Sequence, residues 1–225
     1  MNVKFSTDLS ILIQIITGLI GFQGIFLYLA DKHIILREVL ILEMLVQFVE
    51  LFFYIYVLRS MVSNELQNMA SMRYFDWIIT TPTMLLTTII FYKYEEHIEK
   101  NSNEKLEFWT FVKDNKDNII TIFVCNFLML LFGYLGEIGV IDMVSSLTLG
   151  FLFFGMTFYT IYKHYVIHSK NSMKLFYFVF IVWGIYGIAA LMNPYIKNNM
   201  FNILDLFAKN FFGVYLYYRI KQLNQ

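Results

Sequence analysis

Seven long apolar runs separated by short polar connectors divide the chain, and within several of them polar residues return at helical spacing. A bilayer core of about 30 Å takes about 20 residues of helix. The runs predict spanning helices at roughly 9–30, 36–58, 71–92, 118–136, 141–163, 174–196 and 199–219. The seventh is the most informative. Asn198, Asn202, Asp205 and Lys209 recur at i, i+4, i+7 and i+11 and share one helical face. A charge at the centre of a membrane helix costs roughly 2.5–3.5 kcal/mol on insertion scales, so this face points inward, to partners. Lys209 has two readings: a lysine that snorkels to an interface, or an amine that condenses with an aldehyde cofactor such as pyridoxal or retinal.

Similar stripes mark three other helices. The first helix carries Ser10, Gln14 and Thr17, for which interhelical hydrogen bonding is the plain alternative to an ion path. In the second, Glu43, Gln47 and Glu50 line one face; a buried glutamate must be protonated, paired or wet, all conditions met along ion paths. The third reads Arg73-Tyr74-Phe75-Asp76-Trp77-Ile78-Ile79-Thr80-Thr81-Pro82, with Asp76, Thr80, Thr83 and Thr87 on one side. Arg73 lies one turn before Asp76, within reach to hold it ionised, and Pro82 is expected to bend the helix while nearby threonines satisfy the carbonyl it frees. The fourth holds Asn126, Met129 and Gly133, the fifth Phe151, Phe153, Phe154, Phe158 and Tyr159, and the sixth Trp183, Tyr186 and Gly187. Such aromatics serve as packing or interface anchors, or together form a slot for a long apolar cofactor beside Lys209.

Composition agrees with a membrane protein. Of 225 residues, 58% are hydrophobic and 15% charged, and the mean hydropathy is +0.58. Seven spans with short connectors fill the length, so a single seven-helix transmembrane domain over residues 1–225 is expected. The zero formal charge gives no case for nucleic acid. Lysine and arginine number three on the N-terminal side (Lys4, Arg59, Lys197) and twelve on the other, which predicts an outside N-terminus and a cytoplasmic C-terminus. No cleavable signal peptide is evident, so the first helix is expected to act as its own targeting signal. Cys125 has no cysteine to pair with. Four scattered histidines show no metal-ligand spacing, and neither a phosphate loop nor a hydrolase triad is present, so no enzymatic activity and no metal are expected.

The run from Arg73 to Pro82, the Trp183 and Tyr186 pair, and the Asp205 to Lys209 spacing resemble the microbial rhodopsins across the whole chain, and most of all the giant-virus rhodopsins similar to light-gated cation channels. The resemblance implies all-trans retinal bound to Lys209 as a protonated Schiff base. Asp76 and Asp205 would be its counterions, Arg73 the charge below them, and Thr80 the hydroxyl partner of Asp76. Trp77, Thr81, Met129, Gly133, Phe154, Trp183 and Tyr186 match pocket positions. Departures from the family pattern are also informative. Thr87 stands where pumps carry the carboxylate that returns the proton, and Lys197 where a release glutamate is found. Gly187 and Ala190 replace a proline and a pocket tryptophan, which predicts a roomier pocket. Channel members line a path between helices 1, 2 and 7; Ser10, Gln14, Glu43, Gln47, Glu50, Asn198 and Asn202 lie on those helices. The implied function is a light-gated cation channel with Glu50 as gate; the alternative is an outward proton pump without a carboxylate donor, or a sensor working through a partner. Partners implied are the lipid bilayer, monovalent cations or protons, and further copies of the chain, three or five. A multi-pass protein of a host-cell membrane follows if the chain is viral.

Overall fold

The computed structural model describes residues 2–60, 66–102 and 104–223. The order is α1 Val3–Ile25, α2 Ile35–Ser60, α3 Leu66–Glu99, the short α4 Phe108–Asp114, α5 Lys116–Glu137, α6 Met143–Ile161, α7 Lys170–Ala190, α8 Pro194–Asp205 and α9 Phe212–Leu223. Six helices among the described residues are long and apolar enough to cross a membrane. The seventh crossing is α8 and α9, joined without a break by a π-helical stretch, Leu206–Phe211, which holds Lys209. A π stretch widens the helix locally and is common at functional sites. With α4 lying between crossings, this is the seven-helix bundle expected.

The first helix is polar on its buried face and apolar on its outer one, while the rest of the interior holds a large apolar core beside its buried polar groups. On α1 the buried positions are Ser6, Thr7, Ser10, Gln14, Thr17, Gly21 and Gly24, with Val3 the sole large apolar residue among them. Leu12, Ile15 and Leu19 face outward. The helices close a ring: α1 packs on α2 and α8, α2 on α3, α3 on α5, α5 on α6, and α7 on α6 and α8. With lipid outside, there is no hydrophobic gain in turning leucines inward, and buried polar groups must find partners across the interface.

Boundaries follow local signals. Asn2, Asp142, Ser169 and Asn193 each accept a backbone N–H at the start of α1, α6, α7 and α8. Pro194 occupies the first turn of α8, where its missing N–H costs nothing. The sixth helix therefore ends at Ala190, short of the expected 196, and the seventh begins at 194. The third helix runs beyond the expected 71–92, because charged residues continue it outside the apolar run. Pro82 lies within it, and Thr80, Thr81 and Thr83 donate to the carbonyls of Asp76, Trp77 and Ile79. Those acceptors flank the Ile78 carbonyl that Pro82 frees and do not include it.

Candidate functional site

Halfway across the bundle, α3 and the π stretch bring Asp76 and Lys209 together; Lys209 Nζ donates to Asp76 Oδ2 and lies 3.8 Å from Asp205 Oδ1. All three side chains are buried. Asp205 is densely held. Its Oδ2 accepts from Tyr54 (2.7 Å) and Arg73 (2.8 Å), and its Oδ1 accepts from Tyr186 (2.7 Å). Arg73 also donates to Asn202 Oδ1, and its guanidinium lies 5.5–5.8 Å from the rings of Phe53, Tyr54 and Phe201. Asn202 donates in turn to Ser6 (2.8 Å) and Thr7 (3.0 Å), while Ser10 donates to the Asn202 carbonyl (3.4 Å). Two cations and two carboxylates thus form a locally neutral cluster, the arrangement that buried charge requires.

This geometry changes two expected pairings. Arg73 pairs with Asp205, not Asp76. An arginine one turn from an aspartate on the same helix shares its face, but the longer guanidinium reaches across to α8. Thr80 donates to the backbone carbonyl of Asp76 (3.0 Å), not to its carboxylate. Asp76 Oδ1 has no protein partner. Asn198, also on the expected face, is buried and donates back to the Pro194 carbonyl (2.9 Å).

A cavity opens from Lys209, with about 120 Å³ accessible to the centre of a water-sized sphere. Trp77, Thr81, Met129, Gly133, Phe154, Trp183 and Tyr186 line it, with Ala190, Ala208 and Phe201. Trp77 packs edge-on against Tyr186 and Phe201, and Trp183 against Phe158. Asn126 donates to Thr81 (2.8 Å), while its own Oδ1 has no protein partner. The space vacated at Gly187 is filled by the Phe151 ring, which would lie 2.5 Å from an added methyl. That ring takes up part of the extra room expected there, and Gly187, Phe151 and Ala190 all line the cavity. An apolar slot ending on one buried amine suits a long apolar aldehyde held by its carbonyl end.

On the other side of Lys209, α2 supplies Glu50, whose Oε2 accepts from Asn210 (3.1 Å). Two turns further along, Glu43 Oε1 accepts from Thr87 Oγ1. The position expected to have no carboxylate thus has one in contact, contributed by a neighbouring helix. Gln14 and Gln47 are buried beside this seam. Lys197 is engaged too, its Nζ 2.9–3.0 Å from both oxygens of Glu137.

Several participants were missed by spacing. Tyr54 extends the 43, 47, 50 stripe by one turn, and Ser6 extends the α1 stripe backwards. That continuation was the available signal. Asn210 and Glu137 had none.

A closed ring of seven helices around an apolar cavity that ends on a carboxylate-flanked lysine defines a membrane protein built to hold an apolar ligand through an amine. The family described as bacteriorhodopsin-like protein matches residues 5–223. Among solved structures, the viral rhodopsin OLPVRII superposes with a TM-score of 0.83 at 28% identity over 99% of each chain. The blue light-absorbing proteorhodopsin from Med12 gives 0.74 at 20% identity over 98% of this chain and 96% of its own. Exiguobacterium sibiricum rhodopsin gives 0.76 at 17% over 99% and 97%. No curated protein matches the sequence. The chain belongs to the bacteriorhodopsin-like family, the microbial rhodopsins, integral multi-pass membrane proteins whose cofactor is retinal on a Schiff-base lysine. Members of this family are in general photoreceptors and ion transporters.

Proposed function

We propose that the chain, as one seven-helix domain, is a light-driven proton transporter that carries retinal on Lys209 and moves protons outward. The contact between Glu43 and Thr87 carries this reading, because it restores a carboxylate to the inner half of the bundle. Retinal bound there supplies light absorption and an isomerisation that redirects the lysine nitrogen. The protein's own groups do the rest.

Asp76 stands against Lys209 Nζ with one oxygen free of protein partners, so it is the group to take the proton. Asp205 is immobilised by Tyr54, Arg73 and Tyr186 and serves as the fixed counter-charge. Preorganised donors of this kind stabilise charge without reorganising. Arg73, Asn202, Ser6, Thr7 and Ser10 continue the polar path towards the N-terminal end of α1. On the inner side Glu43 returns a proton towards Lys209 by way of Glu50, which Asn210 holds in place. The lysine and arginine asymmetry supports an outside N-terminus, hence outward transport. A host-cell membrane belongs to the same reading, supported by the similarity to a viral rhodopsin; a homo-oligomer is proposed with it on the family resemblance alone.

A second reading, a light-gated cation channel between α1, α2 and α8–α9, is favoured by a separate observation. Both amide atoms of Gln14, with Gln47 Oε1 and Glu50 Oε1, are buried along that seam without protein partners. Such atoms cost about 1–3 kcal/mol each unless water or an ion meets them.

Voltage-clamp recording of illuminated cells expressing the retinal-loaded chain separates the two. An outward photocurrent at every reachable voltage is the expected result. A current that reverses near the equilibrium potential of a permeant cation would replace the pump by the channel.

A further inference from the structure

Gln47 lies between the two α2 carboxylates and has no part in the scheme above. Its amide sits in a slot walled by glycines. A methyl added to Gly213 of α9 would stand 2.4 Å from Gln47 Nε2, and one added to Gly21 of α1 would stand 3.5 Å from Nε2 and 3.6 Å from Oε1. Any side chain at 213 therefore evicts the amide. The same added methyl at 213 would lie 3.7 Å from Glu43 Oε2, so amide and carboxyl share one recess. Both Gln47 Oε1 and Glu43 Oε2 lack protein partners.

Seven residues along α2 separate Glu43 from Glu50, an axial rise of about 10 Å. Proton transfer needs hydrogen-bond reach, about 3 Å or one bridging water. The backbone spacing alone exceeds that reach. What fills the gap is an amide, which donates and accepts hydrogen bonds but does not ionise near neutral pH. Gly213 also lies four residues after Lys209, one turn along the same face. Any displacement of that helix at Lys209 moves the wall of the slot.

We infer that the Gln47 side chain is a gate, held between Gly21 and Gly213, that separates a polar pocket at Glu43 from one at Glu50 and joins them when the amide leaves its slot. The role rests on the proton path proposed above and adds the element that keeps the path from being continuous in the dark.

The test uses the full retinal-loaded chain and two readouts: photocurrent against voltage, and the rate at which the visible band returns after a flash. Gln47→Ala empties the slot; its photocurrent, unlike that of the unaltered chain, reverses sign near the proton equilibrium potential, and the band returns at least about threefold faster. Gln47→Leu fills the slot without a dipole; return slows about tenfold, and azide, a small diffusible weak acid, restores the speed. Gly213→Ala evicts the amide and follows Gln47→Ala. A dark visible band equal to that of the unaltered chain shows that each variant is folded, and if Gly213→Ala lacks the band the two Gln47 variants decide. Return rates within about twofold of the unaltered chain in both Gln47 variants, with a photocurrent that does not reverse in either, overturn the gate. Loss of outward current in the unaltered chain overturns the proposed function instead, and the variants' return rates still decide the gate.

Discussion

The two halves of the bundle on either side of Lys209 hold buried polar groups in opposite ways. On the side towards the start of α8, Asp205 accepts from three side chains, Arg73 bridges two helices, and Asn202 ties α8 to Ser6 and Thr7 of α1. On the side of α9, Glu43 and Glu50 each have one protein partner and one oxygen without any, and both amide atoms of Gln14 are unpaired within the protein. A fully satisfied network is rigid and unique in arrangement; a partly satisfied one keeps alternatives of similar energy. The first half, in which Arg73 Nε is the one atom of the Arg73–Asp205–Asn202 network without a protein partner, comes nearer to full satisfaction and is built to hold charge still, the second to let protons and their partners rearrange. Asp76 sits at the border with one oxygen in each condition.

Removing the border itself gives the largest effect. Lys209→Ala is expected to abolish visible absorption, and a retained visible band would refute attachment at this residue. On the rigid side, Arg73→Gln leaves Asp205 buried with only Lys209, 3.8 Å away, as a cation. Breaking a buried pair costs about 3–5 kcal/mol, so the variant is expected to lose its visible band many degrees lower in a thermal scan. A melting temperature unchanged from the parent would show that Tyr54, Tyr186 and Lys209 suffice to hold Asp205.

On the loose side, substitution is expected to change rate more than stability. Glu43→Gln keeps the contact with Thr87 and removes the ionisable proton. Recovery of the visible band is expected to slow about tenfold or more, with little change in thermal stability. Equal slowing in Glu43→Gln and Arg73→Gln, or none in the first, would erase the distinction between the halves.

Much of this division is written in helical spacing. The faces Ser10–Gln14–Thr17, Glu43–Gln47–Glu50 and Asn202–Asp205–Lys209 all point inward as their periodicity requires. Spacing fixes a face but not which neighbour that face meets. Arg73 turns to Asp205 on another helix, and Thr87 meets Glu43 across the α2–α3 interface, so a position empty of carboxylate along one helix is supplied from the next. The π stretch around Lys209 leaves no mark in an apolar run, since it follows from tertiary packing. Tyr54 resembles any membrane aromatic until its hydroxyl is seen on Asp205. By contrast, the boundary at Asn193-Pro194 was carried by local capping chemistry, which the length of the apolar run outweighed.

The smallest expected effect lies at the far end of the loose half, where the α1–α2 connector meets α3. His33 is buried there, its Nδ1 in hydrogen-bond contact with the Tyr94 hydroxyl. Burial first, and then the charge of Lys32, lowers its pKa below the ordinary 6.5. The folded chain therefore holds His33 neutral, while the unfolded chain binds a proton as pH falls through that value. The contribution to stability is fully present above about pH 6.5 and is lost as pH drops from there towards the lowered folded value. Heat bleaching of the visible band at about pH 7.5 and about pH 5.5 measures it. The unaltered chain is expected to lose more stability between those conditions than His33→Gln, which cannot titrate. An equal loss in both would assign the pH response to other groups at that end of the bundle and leave the His33–Tyr94 contact as packing alone.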